Sequence, residues 1–78
     1  MDFILYTTNY CPYCTRAKDL LKSRKFLYKE INVQNNPHIR ELLVMTTGMK
    51  TVPQIFDCRD EKNKHVGGYD NLVKYLGT

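Results

Sequence analysis

Residues 1–78 predict one α/β domain whose elements run in the order βαβαββα. Three observations carry that prediction. Short, apolar, β-favouring runs alternate with segments whose apolar residues recur at helical spacing. The first strand, helix and second strand have the lengths of a right-handed crossover joining a parallel pair. The last two strands are separated only by a polar turn, so they should pair antiparallel. The expected result is a four-stranded mixed sheet with helices on both faces, without a linker, an internal repeat or a low-complexity segment.

Phe3-Ile4-Leu5-Tyr6 opens the chain as a strand. Its lack of polar alternation points to cover on both faces. Thr7 to Tyr10 is a loop leading into Cys11. A first helix is expected from about Pro12 to Arg24, because Cys14, Ala17 and Leu21 fall on one face with Leu20 beside them. Leu27 to Val33 reads as the second strand, with Leu27, Lys29, Ile31 and Val33 in one row. Asn36 then caps a second helix that starts at Pro37, runs to about Thr47, buries Ile39, Leu42 and Leu43, and stops at Gly48. Gln54 to Asp57 is the third strand, with Pro53 at its entry, where a missing N–H does least damage. Lys64 to Val66 is a brief fourth strand broken by Gly67-Gly68. Tyr69-Asp70-Asn71 opens the last helix, with Asp70 as the expected N-cap and Leu72, Val73 and Leu76 on the apolar side.

Composition narrows the function. Apolar residues make up 42% of the chain, which suits a globular domain and argues against disorder. The segment from Met1 to Tyr6 is too short for the apolar region of a signal peptide, and no run approaches a membrane span, so a cytoplasmic, reducing location is expected. The net charge is +4, and Arg16, Lys18, Lys22, Arg24 and Lys25 lie on or just after the first helix. Those cations have neither interleaved aromatics nor a groove-entering motif beside them, so nucleic acid is not an expected partner. A solvated helix face whose last-turn cations suit the dipole accounts for them.

The chemistry concentrates in Cys11-Pro12-Tyr13-Cys14, between a predicted strand and a predicted helix. A thiolate is the species that attacks disulfides, and an ordinary cysteine near pKa ~8.5 is a minor fraction thiolate at neutral pH. A helix mouth points unsatisfied N–H groups and the positive dipole end at the Cys11 sulfur. Pro12 suits the first helical position. Cys14, three residues on and one turn deeper, is close enough to close a disulfide. Cys11 is therefore the candidate attacking thiol and Cys14 the shielded resolving thiol. The competing use of this spacing is half of a zinc site. The remaining candidate ligands, Cys58, His38 and His65, are single and scattered, so no metal is expected.

Cys11-Pro12-Tyr13-Cys14, Thr51-Val52-Pro53 and Gly67-Gly68-Tyr69-Asp70, in that order and spacing, resemble the small dithiol glutaredoxins over essentially the whole chain. The resemblance implies a thioredoxin-like fold and a glutathione-dependent thiol–disulfide oxidoreductase, with glutathione as co-substrate and no bound prosthetic group. It also implies a cis bond before Pro53, beside the active-site sulfurs. Such a bond turns the Val52 N–H and C=O outward, where an extended peptide can pair with them. By the same resemblance Val52 pairs with the cysteinyl part of glutathione, Thr51 and Pro53 belong to the glutathione-binding set, and Gly68, Tyr69 and Asp70 hold the γ-glutamyl end. Tyr13 flanks the glycyl end, and Arg40 is placed for the glycyl carboxylate. For Asp70 a plain capping role, and for Arg40 a solvated helix position, are the competing readings. Expected partners are glutathione and glutathionylated or disulfide-containing proteins, with ribonucleotide reductase as one candidate. The chain is expected to be a monomer that binds neither nucleic acid nor membrane.

The sequence departs from the family pattern at Thr8, where a lysine or arginine is usual. Without that cation the expectation is a less acidic Cys11 or weaker glutathione affinity. The helix mouth, Arg40 or Arg16 would then carry more of the work. Cys58 reads as an ordinary thiol after a strand, with glutathionylation or dimerisation as the sharper alternative. His38, His65, Met45 and Met49 are assigned no role. Two other functions fit the same motif. One is a [2Fe–2S] carrier ligated by Cys11 and glutathione, which Pro12 disfavours by stiffening the loop. The other is a thioredoxin-like donor reduced by a flavoprotein.

Overall fold

Alternate residues of Phe3–Thr7 are buried, and this strand, β1, is an interior strand in the computed structural model, which describes residues 1–77. Five helical and strand segments follow it up to β4: α1 at Pro12–Ser23, β2 at Tyr28–Asn32, α2 at Pro37–Thr47, β3 at Gln54–Asp57 and β4 at Lys64–Gly67. The last element is α3 at Tyr69–Leu76. The strands lie in the order β2-β1-β3-β4. β1 and β2 are parallel, with Phe3 opposite Tyr28, as the crossover length requires. β3 runs antiparallel to β1, with Leu5 opposite Ile55, and β4 runs antiparallel to β3. A register shift sets Ile55 opposite Gly67 but Phe56 opposite His65, leaving Val66 as the extra residue of a bulge. The four-stranded mixed sheet and the element order match the expectation and give the thioredoxin-like arrangement.

The core lies on one face of the sheet. Phe3, Leu5, Ala17, Leu21, Ile55 and Leu72 form one buried cluster contributed by β1, α1, β3 and α3. Full burial of each larger side chain is worth about 1.5–3 kcal/mol, so this cluster supplies much of what holds α1 and α3 to the sheet. Phe26 closes its edge, its ring 5.2 Å from that of Phe3. The Arg59 guanidinium lies over both rings, 5.2 Å from each centroid.

The opposite face carries α2, which is less closely seated. Of Ile39, Leu42 and Leu43, only Leu43 is buried, and Leu42 is 60% exposed. Helical periodicity correctly groups these residues on one side. The helix stands off the sheet, however, leaving an apolar groove of about 360 Å³ between Ile39, Leu42, Leu43 and Thr46 on α2 and Tyr6, Ile31 and Phe56 on the sheet. β2 is also one residue shorter at each end than the expected Leu27 to Val33, since Val33 follows it as Leu27 precedes it. Leu27 is 69% exposed and precedes β2, because its backbone is hooked to the chain start. Its N–H donates to the Asp2 carboxylate at 2.8 Å, while its carbonyl accepts from the N–H groups of Asp2 and Phe3.

The expected cap of α3 is corrected as well. Gly68, with extended φ −94° and ψ −164°, is the N-cap, and Asp70 lies within the first turn. Leu72 N–H donates to Gly68 C=O at 3.0 Å, which starts the helix there. Asn71 Oδ1 reaches back to the Gly68 N–H at 3.1 Å, satisfying the donor just ahead of the helix. Gly67 enters this turn at φ +120°, and a Cβ there would sit 2.7 Å from the same Asn71 oxygen. Only glycine fits that approach.

Candidate active site

Cys11 is itself the N-cap of α1, with extended φ −113° and ψ 97°, and Pro12 follows at the first helical position. Its sulfur accepts from the backbone N–H of Cys14 at 3.2 Å. The first turn thus directs a donor and the positive helix end at this sulfur, the arrangement that favours a thiolate once the pair is reduced. Cys11 and Cys14 are joined by a disulfide, with Cα atoms 5.2 Å apart. Cys14 is only 2% exposed and sits on the α1 face with Ala17 and Leu21, whereas Cys11 is half-buried at the surface. The order of an accessible and a shielded sulfur agrees with the sequence reading.

The sheet order then brings a distant segment to the disulfide. Because β3 pairs with β1, the chain entering β3 passes the end of β1, where the cysteine loop begins. The Val52–Pro53 bond is cis, as the resemblance implied. Cys11 Sγ lies 3.9 Å from the Val52 carbonyl oxygen. Beside this contact opens a cleft of about 380 Å³ lined by Tyr13, Thr51, Val52, Pro53, Gly68, Tyr69 and Asp70. Met49 and Asn71 complete its wall. Seven of the eight expected binding residues therefore face one space. Arg40, exposed on α2, does not line it.

Gln54, which braces the cleft, escaped the sequence reading, as did Met49, which lines it. Gln54 is 2% exposed and lies directly behind Pro53. Its Nε2 donates to the Met49 carbonyl at 2.8 Å, and its Oε1 accepts from Thr47 Oγ1 at 2.9 Å. It thereby ties the end of α2 and the start of the Val52 loop to β3. A glutamine at the first residue of a short apolar strand was the available signal. Tyr13 and Tyr69 stand across the cleft with ring centroids 6.0 Å apart. The Arg16 guanidinium lies 5.1 Å from the Tyr13 centroid, which puts a cation at this rim although Thr8 supplies none.

A second, more polar cleft of about 570 Å³ flanks the disulfide over the β2 side and is lined in part by Cys11, Cys14, Lys18 and Glu30. Burial opposes ionisation of Glu30, but hydrogen bonds from Thr7 (2.7 Å) and Lys18 (3.1 Å) outweigh it and hold the carboxyl below its ordinary pKa. Away from the site, burial and the neighbouring Asp57 charge push the Cys58 thiol up, the opposite of an activated thiol. Burial pulls His65 down, and its Nε2 has no hydrogen-bond partner. Among the described residues, no group of three or more His, Cys, Asp or Glu side chains comes together as a metal site.

Known proteins align with this geometry. Residues 3–61 match the family model for glutaredoxin. A glutaredoxin of Pseudomonas aeruginosa is 42% identical over 69 residues, spanning 88% of this chain and 77% of its own. Glutaredoxin 3 of Escherichia coli is 41% identical over 68 residues, spanning 87% and 77%. Among solved structures, a buckwheat glutaredoxin in complex with glutathione superposes with a TM-score of 0.86 at 28% identity, covering 97% of this chain and 68% of that one.

Proposed function

This chain belongs to the glutaredoxin family of thiol–disulfide oxidoreductases, and from that premise we propose that glutathione is its reductant and glutathione-containing mixed disulfides its substrates. The observation that carries the proposal is the cleft from Tyr13 across Val52–Pro53 to Gly68–Asp70, which opens beside Cys11 and is lined by peptide-pairing backbone and a helix start. An extended tripeptide with a thiol at its centre, a carboxylate at each end and one ammonium fits such a space. Val52 pairs with the cysteinyl backbone. The N–H groups at the start of α3 receive the γ-glutamyl carboxylate, and the exposed Asp70 carboxylate accepts from the ammonium. Tyr13 borders the glycyl end, and Arg16, already seated over its ring, is the cation for the glycyl carboxylate in place of Arg40, which does not reach the cleft lining. The buckwheat relative, solved with glutathione, supports the same reading.

The reaction is thiol–disulfide exchange. The Cys11 thiolate attacks the glutathione sulfur of a protein mixed disulfide, a Cys11–glutathione disulfide forms, and the protein leaves as its thiolate, which takes up a proton. A second glutathione thiolate attacks the adduct, releasing oxidised glutathione and restoring Cys11. With a protein disulfide, Cys11 attacks one sulfur and Cys14 displaces it from the mixed intermediate, leaving the Cys11–Cys14 disulfide seen here. Glutaredoxin couples lie at about −200 to −230 mV, near enough to a glutathione pool for either direction. Glutathionylated proteins and disulfide proteins, ribonucleotide reductase among them, are the proposed partners of a monomeric, cytoplasmic enzyme.

The test is glutathione-dependent reduction of a glutathionylated peptide by wild type, Cys11→Ser and Cys14→Ser. Retained turnover in Cys14→Ser with none in Cys11→Ser is the expected result. A wild-type protein that glutathione cannot turn over, but a flavoprotein reductase can, would overturn the glutathione assignment.

A further inference from the structure

The two clefts at the disulfide share no residue and lie on opposite sides of it. One is bounded by the β3, β4 and α3 side, where the glutathione half of a mixed disulfide is placed above. The other, over β2, is lined by both cysteines, and nothing so far assigns it an occupant. A mixed disulfide has two halves, and both must be near Cys11 when the S–S bond is exchanged. We propose that the β2-side cleft receives the polypeptide flanking the substrate cysteine, with the Tyr10 ring as its specificity-determining contact. The proposal rests on the glutathione reading for the opposite cleft.

Tyr10 is the residue immediately before the nucleophile, lines this cleft, and is 101% exposed. Its backbone is in the left-handed region at φ +54°, uncommon for a bulky residue without glycine's freedom. A fully exposed ring contributes nothing to the packed core, so folding does not explain a tyrosine at this place. Aromatic rings presented at a surface are the side chains that most often anchor a polypeptide partner, through large contact area at low cost in side-chain entropy.

The cleft's polar groups argue for a polypeptide and against a small anion. Lys18 is paired with Glu30, which also accepts from Thr7, so the floor carries no unbalanced charge. Asn32 Nδ2 donates to Asn9 Oδ1 at 2.9 Å, and Asn9 N–H donates to Gln34 Oε1 at 3.2 Å, which fixes the loop below Tyr10. A neutral, pre-formed wall with one projecting aromatic suits an extended peptide segment. The chemistry remains the balanced exchange above: the Cys11–glutathione bond forms as the peptide–glutathione bond breaks, and the peptide leaves as thiolate from this side.

The experiment compares kcat/KM for a glutathionylated decapeptide with kcat/KM for the mixed disulfide of glutathione and 2-mercaptoethanol, in wild type, Tyr10→Phe and Tyr10→Ala. The ratio of the two should fall about tenfold in Tyr10→Ala, the loss of one good aromatic contact, and stay near wild type in Tyr10→Phe. An unchanged ratio in Tyr10→Ala overturns the proposal. If wild type fails on both glutathione disulfides, it is the glutathione reading that falls. Single-turnover reaction of the pre-reduced protein with a peptide–peptide disulfide and with bis(2-hydroxyethyl) disulfide then decides the docking proposal by the same ratio, a drop in Tyr10→Ala supporting it and no change overturning it.

Discussion

Cys11 Sγ and the Val52 carbonyl oxygen, 41 residues apart in sequence, lie 3.9 Å apart in the structure. The pairing of β1 with β3 sets this distance, because both segments lie at the same end of the central strand pair. Anything that lets the 49–53 segment drift therefore separates the nucleophile from the backbone proposed to hold its co-substrate.

Gln54 is the side chain best placed to prevent that drift. Gln54→Leu keeps similar bulk but leaves the Met49 carbonyl without its partner, while the Thr47 hydroxyl keeps the Leu43 carbonyl and the Met49 N–H. The expected cost is about 1–3 kcal/mol of stability, read from urea unfolding. KM for glutathione should rise as well, while the rate of Cys11 alkylation should change little, because the α1 mouth is untouched.

Gly67→Ala tests the tight approach before α3. The added methyl would collide with Asn71 Oδ1, and φ +120° is strained for any residue with a Cβ. A loss of about 1–3 kcal/mol is expected. Asn71→Ala removes only the bond to the Gly68 N–H and should cost about 1 kcal/mol. Combined, the two changes should cost less than their sum, because both act on the same contact.

Asp70 separates binding from capping. Gly68 is the N-cap, so Asp70→Asn should alter stability by no more than about 0.5 kcal/mol. The same change should weaken glutathione roughly tenfold, the value of a hydrogen bond to a charged group. Steady-state KM and thermal unfolding, measured on one preparation, check both halves. A large drop in melting temperature would return Asp70 to a structural role.

Acid should attack the far end of the sheet. Hydrogen bonds from Arg59, followed by one from Tyr75 at 2.6 Å, hold the Asp57 carboxyl well below the ordinary carboxylate range despite its burial. A folded pKa below the unfolded value of about 3.9 stabilises the protein fully above that value, and the contribution is lost as pH falls toward the folded pKa. Asp57→Asn should lower stability at neutral pH by about 1.5–3 kcal/mol and flatten the acid limb of a stability–pH curve.

Thr8, where the family resemblance leads one to expect a cation, lines the β2-side cleft together with Cys11. Thr8→Lys should shift the thiolate absorbance titration of Cys11 to lower pH. Added salt should erase most of that shift.

Most of the fold was legible because its signals are local. Helical spacing of Cys14, Ala17 and Leu21 predicted the buried face of α1, and Asn36-Pro37 and Gly48 marked both ends of α2. Less legible was how far a predicted face would be buried: Leu42 obeys the period of its neighbours yet stays exposed, since the sequence does not state how closely α2 approaches the sheet. The cap of α3 was misplaced by two residues because Asp70 is a good cap by type. Asn71 folding back on Gly68 is a matter of three-dimensional fit.

The sequence by itself determined the chemistry at Cys11. A C-x-x-C spacing with proline inside it sets a sulfur on a helix mouth and a second sulfur one turn deeper through bonds that span four residues or fewer. Tertiary structure alone decided what surrounds that sulfur. The approach of Val52, the brace from Gln54, the Tyr13–Tyr69 walls and the exposed Tyr10 cleft depend on strand order and on contacts between residues far apart in the chain. Short-range hydrogen bonds and periodicity are written in neighbouring residues, whereas the meeting of distant segments is settled only when the whole core packs.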